Sequence, residues 1–253
     1  MILGQRITAV LPAYNAAKTL ANTVADIPRD VVDDIILVDD ASRDQTVVVA
    51  RQLGLQVVVH QFNRGYGGNQ KTCYTEALKR HADIVVMVHP DHQYDPHYVA
   101  ALVDLIARGD ADAAFGSRML IPGDALKGGM PWWKYIANIG LTKIANLALG
   151  LNLSEYHSGF RAYNREVLTS LALDKNSDDF VFDTEIIVQL KHANFRIKEI
   201  PIPTKYFKDA SSVGLRRSIE YGFGFIRTLW QYKMHQLSVR FDERFAAVPA
   251  DEG

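Results

Sequence analysis

The chain contains a single cysteine, Cys73, so no internal disulfide can form and a reducing compartment is favoured. Cys73 reads as a small apolar filler on a helix rather than as a nucleophile. No stretch reaches the ~18 uninterrupted apolar residues of a membrane span, so any contact with a bilayer is expected at its surface. The N-terminus has no basic stretch, and Gln5 and Arg6 break its apolar run, so no signal peptide is expected. Neither sign of charge dominates. Against 28 lysines and arginines stand 29 aspartates and glutamates, a net charge of -1, which excludes the broad basic field of a nucleic-acid binder. The glycines match neither the G-x-x-x-x-G-K-S/T nor the G-x-G-x-x-G phosphate fingerprint. Internal repeats, low-complexity tracts and a clear interdomain linker are also missing.

What remains is an ordinary globular composition, 48% hydrophobic and 23% charged over 253 residues, enough for one sizeable α/β domain or one domain with an appendage. Short apolar runs at 7–11, 34–39, 56–60 and 84–88 read as strands. Segments 18–25, 45–53, 70–80 and 96–108 have helical spacing. This alternation implies parallel βαβ units with helices on both faces of the sheet. After a further strand at 113–115 the rhythm changes. Segment 122–129 is glycine-rich and reads as a mobile loop. Segment 131–151 is a long, unusually apolar helix. A late strand at 195–203 is pushed to a sheet edge by Pro201 and Pro203. Segment 218–237 is an aromatic helix with basic residues, and the tail from residue 245 reads as frayed.

Ligands of a parallel sheet bind at the carboxyl ends of its strands, and four polar clusters fall there. The first is Pro12-Ala13-Tyr14-Asn15. The second contains Asp39 and Asp40, which serve either a turn and helix cap or a base or ribose contact. The third, from Asn63 through Gly65 to Gly67 and Gly68, is either a plain tight turn or a source of backbone donors for a phosphate. The fourth, His89-Pro90-Asp91-His92-Gln93, sets an imidazole, a carboxylate and an amide just after a buried strand. His89, Asp91 and Gln93 can there hold a hard divalent cation, Mg²⁺ or Mn²⁺, with His89 favouring Mn²⁺. Asp183 and Glu185 are either candidate bases for a hydroxyl acceptor or helix-start carboxylates favoured by the dipole.

In this order and spacing the clusters resemble the family 2 glycosyltransferases of the GT-A fold, most nearly the dolichol- and polyprenyl-phosphate sugar synthases. Pro12-Ala13-Tyr14-Asn15 resembles P-x-Y-N. Residues Val38 to Thr46 resemble V-D-D-G/A-S-x-D-x-T, and residues Asn63 to Gly67 resemble N-x-G-x-G. Residues His89 to Pro96 resemble the metal motif D-x-D-x-Q-x-D/H-P, with His89 in place of its first aspartate. Gly116-Ser117-Arg118 and Ser158-Gly159-Phe160-Arg161 resemble G-S-R and S-G-F-R. The match covers roughly residues 6 to 208.

The resemblance implies a Rossmann-like, mainly parallel sheet flanked by helices. A glycosyltransferase domain at 1–210 would precede C-terminal amphipathic helices and a tail at 211–253. It implies inverting transfer of a hexosyl or N-acetylhexosaminyl group from a nucleotide-diphosphate sugar to a polyprenyl-phosphate-type lipid. Asp91, Arg118, Asp183 and Glu185 fall at catalytic positions. Lys208 stands near the donor diphosphate, and Arg118, Lys134 and Arg161 near the acceptor. The chain would work at the cytoplasmic face of a membrane. Segment 131–151, with Trp132, Trp133 and Tyr135 at one end, is either a membrane-surface helix or a helix buried against the sheet. Arg227, Trp230, Tyr232 and Lys233 give the last helix a similar character. Transfer to a glycan or other hydroxyl, and nucleotidyl transfer, are the alternative activities.

Overall fold

A computed structural model describes residue 2, residues 4–203 and residues 215–246, with the backbone alone at 215–217. Its centre is a seven-stranded sheet. The strands are β1 (Ile7–Ala13), β2 (Asp34–Asp39), β3 (Gln56–Val59), β4 (Ile84–Met87), β5 (Ala113–Ser117), β6 (Arg161–Asn164) and β7 (Ile197–Pro201), in the spatial order β3-β2-β1-β4-β6-β5-β7. β6 runs antiparallel to both β4 and β5, and every other pair is parallel. β7 lies at the edge, paired with β5 alone, where Pro201 leaves no ladder donor unpaired.

The helices are α1 (Leu20–Asp26), α2 (Thr46–Gln52), α3 (Gly65–Lys79), α4 (Val99–Ala107), α5 (Asp124–Lys127), α6 (Trp132–Leu149), α7 (Arg165–Ser170), α8 (Phe182–His192) and α9 (Leu215–Gln236). They cover both faces of the sheet because successive strand side chains point to opposite sides. Ala9 and Leu11 of β1 join Leu20 and Val24 of α1 and Leu102 and Val103 of α4 in one core. Val10 faces the other way and belongs to a second core with Cys73 and Tyr74 of α3, Ile186 of α8, and Phe225, Leu229 and Tyr232 of α9. Cys73 is wholly buried, and burial pushes its thiol well up, as suits a packing residue.

Four segments differ from the sequence reading. The glycine-rich stretch 122–129 contains the short helix α5 rather than loop throughout. Arg161-Ala162-Tyr163-Asn164, too short and too polar to read as a strand, pairs on both sides as β6. α3 begins at Gly65, so the third polar cluster is its first turn. The chain does not fray at residue 245: Phe245 is buried against Tyr232, with ring centroids 5.1 Å apart.

Strand order reverses at β1, which has β2 on one side and β4 on the other. Such a switch point opens a crevice at the carboxyl ends of the strands. Register puts Ala13 of β1 beside Asp39 of β2, and Asp39 beside Val59 of β3, so the polar clusters that follow these strands emerge together.

Candidate functional site

A cavity of about 1720 Å³ occupies that crevice. Pro12, Ala13, Tyr14 and Asn15 line it from the end of β1, and Asp40 from the end of β2. Asn63, Gly65 and Tyr66 line it from the start of α3, and His89 and Asp91 from the end of β4. Three of the four clusters are braced by one another. Asn15 Oδ1 accepts from Arg43 N at 2.8 Å, and Asn15 N donates to Ser42 Oγ at 2.8 Å. Asn15, Ala41 and His92 all hold positive φ, at 52°, 60° and 59°. Side chains rarely adopt that backbone, and its cost of ~1–3 kcal/mol per residue persists where surrounding contacts over-determine it.

Of the two readings of Asp40, its hydrogen bonds are those of a local clamp. Oδ1 meets His60 Nδ1 at 2.7 Å and Arg64 N at 2.8 Å, and Oδ2 accepts from Gly65 N at 3.0 Å. The backbone donors expected to face a phosphate are also taken. Gly67 N and Gly68 N both donate to the carbonyl of Asp178, at 2.7 and 3.2 Å. Helix-start donors need partners from outside the helix, and here Asp40 and Asp178 supply them. The glycines serve this close approach. A Cβ on Gly67 would sit 2.4 Å from Ser177 O, and one on Gly65 2.6 Å from Asp178 O. Asp39 accepts from Ser42 N at 2.9 Å through Oδ2, while its buried Oδ1 has no partner.

At the end of β4 the imidazole of His89 lies against Tyr66, rings nearly parallel at 8°, with Nε2 3.4 Å from the phenol oxygen. Burial, then the charge of Asp183, pushes the Tyr66 phenol well up, so it stays protonated and donates to Asp183 Oδ2 at 2.8 Å. Gly159 makes room for this contact: a Cβ there would stand 2.4 Å from His89 Nε2 and 2.8 Å from the Tyr66 oxygen. Asp91 keeps its place through an Asx turn in which Oδ1 accepts from Gln93 N at 3.1 Å. Gln93 is not part of the cavity lining, whereas His89 and Asp91 are.

The remaining candidates lie outside that lining. Asp183 also accepts from Gln70 Nε2 at 3.2 Å and sits 3.6 Å from Arg161 Nη1. Glu185 accepts from Ser177 N and Arg244 Nη1, both at 2.6 Å. Both carboxylates stand in the first turn of α8, as helix-start carboxylates do, and both are buried and engaged. Arg161 is 2% exposed and donates to the carbonyls of Ser158, Asp183 and Tyr156. It is a core arginine with no face for an acceptor. Arg118 pairs with Glu155, Nε to Oε1 at 2.9 Å. Burial raises the Glu155 carboxyl, but the charge and hydrogen bonds of Arg118 outweigh it and hold the group below its usual range. Lys134 lies close enough that burial, and then the Arg118 charge, lower its ammonium pKa. Lys208 lies outside the described residues.

Several lining residues gave no signal in the sequence. Lys18 brings a cation to the cavity, Ser177 to Val181 form one wall, and Glu220 and Tyr221 reach it from α9. Their contribution depends on chain segments far apart meeting in space, which local pattern does not encode.

Residues 8–171 match the model of glycosyl transferase family 2, and the chain belongs to that family; it is a glycosyltransferase. An uncharacterised protein of Methanocaldococcus jannaschii is 33% identical over 208 residues, spanning 82% of this chain and 85% of the relative. The UDP-N-acetylglucosamine–dolichyl-phosphate N-acetylglucosaminyltransferase of Methanococcus voltae is 27% identical, over 90% of this chain and 96% of its own length. The polyprenol monophosphomannose synthase of Mycolicibacterium smegmatis is 27% identical, over 78% and 77%. In fold, the chain is similar to glucosyl-3-phosphoglycerate synthase of Mycobacterium tuberculosis, solved with Mn²⁺, uridine diphosphate and phosphoglyceric acid. That likeness has a TM-score of 0.70 at 21% identity, over 90% of this chain and 78% of the other.

Proposed function

We propose that this chain moves a sugar, with inversion at the anomeric carbon, from a nucleoside-diphosphate sugar to a polyprenyl-phosphate-type lipid at a membrane surface. The observation that carries the acceptor is the similarity, over most of both chains, to relatives named for dolichyl-phosphate and polyprenol acceptors, with Arg118 and Lys134 as the cations that would meet the phosphate. Together with the burial of Asp183 and Glu185, this suits an acceptor that already bears negative charge. A phosphate oxygen needs orienting rather than deprotonating.

The crevice is read as the donor site. Tyr14, half-exposed in its lining, offers a ring for base stacking. Asp39 is buried just behind the lining, and its Oδ1, without a partner, would accept the imide hydrogen of a uracil or guanine that reached it. Lys18 and Arg64 supply positive charge for the diphosphate.

A divalent ion fits the donor set at the end of β4, an imidazole and a carboxylate in one cavity. His89 and Asp91 would hold it. Among the described residues no cluster of three or more His, Cys, Asp or Glu forms a site by itself, so the donor's phosphate oxygens would complete the coordination. A bound Mg²⁺ or Mn²⁺ supplies charge that stabilises the leaving nucleoside diphosphate.

Among the described residues no helix is long and apolar enough to cross a membrane. α9 nevertheless exposes Ile219, Phe223, Ile226 and Trp230, spaced four, three and four apart, which makes one stripe of a helix. Phe225, Leu229 and Tyr232 are buried on its other side, so Tyr232 belongs to the core and not to the surface. Trp132 and Ile136 of α6, the helix packed beside α9, are exposed as well. Trp133 is only half-buried, with Lys134 Nζ 5.3 Å from its ring centre. An unpaired apolar stripe of this kind suits an interfacial helix.

The test is release of nucleoside diphosphate from a panel of UDP- and GDP-sugars, with and without polyprenyl phosphate. Release that depends on the lipid supports the proposal. Release that depends only on a soluble hydroxyl acceptor, or loss of inorganic diphosphate from a nucleoside triphosphate, overturns it.

A further inference from the structure

The wall of the cavity formed by Ser177 to Val181 has little regular structure of its own; Val181 directly precedes α8. Its position is set from behind, by α8. Glu185 Oε2 accepts from Ser177 N at 2.6 Å, and Gln189 Oε1 accepts from Asn176 Nδ2 at 2.7 Å. Both side chains are then held by one residue of the C-terminal segment. Arg244 Nη1 donates to Glu185 Oε1 at 2.6 Å, and the Arg244 carbonyl accepts from Gln189 Nε2 at 3.0 Å.

Arg244 is itself fixed. Its Nε donates to Asp242 Oδ1 at 2.9 Å and its Nη2 to Gln231 Oε1 of α9 at 2.9 Å. Phe245, 4% exposed, anchors the segment next to it. The guanidinium and the Glu185 carboxylate are each about a tenth exposed. At that burial a charge-assisted pair resists exchange with water, and loss of one partner leaves the other uncompensated. On its far side the wall meets α3, through the Asp178 carbonyl on Gly67 N and Gly68 N and through Lys71 Nζ on Asp178 Oδ1 at 2.9 Å.

We infer that Arg244 is a positioning residue for the cavity: acting through Glu185 and Gln189, it holds the Ser177–Val181 wall where a donor nucleotide meets it. The inference rests on the reading of the cavity as the donor site. It gives the C-terminal segment, some 60 residues beyond the wall in the chain, a part in donor affinity without contact to the donor.

The experiment compares the full-length parent with Arg244→Gln and Arg244→Lys by amide hydrogen exchange and by titration with UDP and with GDP, each with Mn²⁺. In Arg244→Gln the amides of 176–182 should exchange about tenfold faster while those of β1, β2 and β4 keep their protection. The Kd for the nucleoside diphosphate that binds should rise about tenfold. Arg244→Lys keeps the charge and should recover a large part of both. Should Arg244→Gln fail to fold, Glu185→Gln weakens the same pair while keeping an acceptor for Ser177 N, and should show both changes at smaller size. Faster exchange confined to 215–246, with wall amides and Kd as in the parent, overturns the inference. If the parent binds neither UDP nor GDP, the donor reading fails, and the exchange at 176–182 still decides whether Arg244 braces the wall.

Discussion

Tyr66 donates its phenol hydrogen to Asp183 Oδ2 across 2.8 Å, and the other side of the same oxygen faces His89 Nε2 at 3.4 Å. The phenol therefore stands between a buried carboxylate and the imidazole at the end of β4. Tyr66→Phe removes one donor from a carboxylate that keeps Gln70 and the nearby Arg161. A stability loss of about 1–3 kcal/mol follows from leaving a buried acceptor short of a partner. Urea denaturation measures it; an unchanged midpoint would show that the bond contributes nothing net.

Arg161 separates a structural from an acceptor-binding role. Its guanidinium is enclosed, stacked 4.8 Å from the Phe115 ring centre, and spent on three carbonyls. Arg161→Ala is expected to cost about 3–5 kcal/mol, because Asp183 loses its nearest cation and the carbonyls their donor. Thermal unfolding decides the matter. A variant as stable as the parent but weak in acceptor binding would return Arg161 to the acceptor site.

His157 gives stability a pH dependence. Burial lowers its pKa from 6.5 to about 4, so the folded protein keeps the ring neutral where the unfolded chain has begun to protonate it. Between those values the unfolded state binds more protons, and stability rises with pH. The contribution is complete above pH ~6.5, shrinks as pH falls, and is lost by pH ~4. His157→Gln, which can still pair with the Tyr221 hydroxyl now 2.7 Å from Nδ1, should flatten the stability profile in that window. A slope equal to the parent's would assign the dependence elsewhere.

At the end of β4 an imidazole and a carboxylate follow a run of four buried residues, a pattern visible in the sequence, and the structure places His89 and Asp91 in the lining of one cavity. The sequence left Asp40 open between a turn and a ligand contact, because its partners His60, Arg64 and Gly65 arrive 20 to 25 residues later; a carboxylate beside a site looks the same whether it binds a ligand or clamps a loop. The glycines of 65–68 allow either a plain tight turn or phosphate donors, since nothing local announces that Asp178, more than a hundred residues on, takes the donors of Gly67 and Gly68. β6 escaped because Arg161, a buried arginine, opens it. The α9 stripe was half legible: spacing marks an apolar helix, but only packing shows that Phe223 and Trp230 face out while Phe225 and Tyr232 face in.

Phe223 and Trp230 are 75% and 52% exposed, so replacing both by Ser should leave stability within ~0.5 kcal/mol per site. Flotation with anionic vesicles should fall sharply if α9 lies in the interface. Undiminished flotation would remove α9 from the membrane contact, and a marked fall in thermal stability would mean that the stripe is covered within the protein.

The proposed reaction carries a sugar to a lipid phosphate with help from Asp91. The direct measurement follows radiolabel from a nucleotide sugar into organic-extractable product, in the presence of polyprenyl phosphate and Mn²⁺ or Mg²⁺. Label should enter the organic phase with the parent, and should fall by about a hundredfold or more with Asp91→Asn, in keeping with loss of a group that stabilises departing charge. Label confined to water-soluble acceptors, or full transfer in excess chelator with Asp91→Asn as active as the parent, would contradict the account.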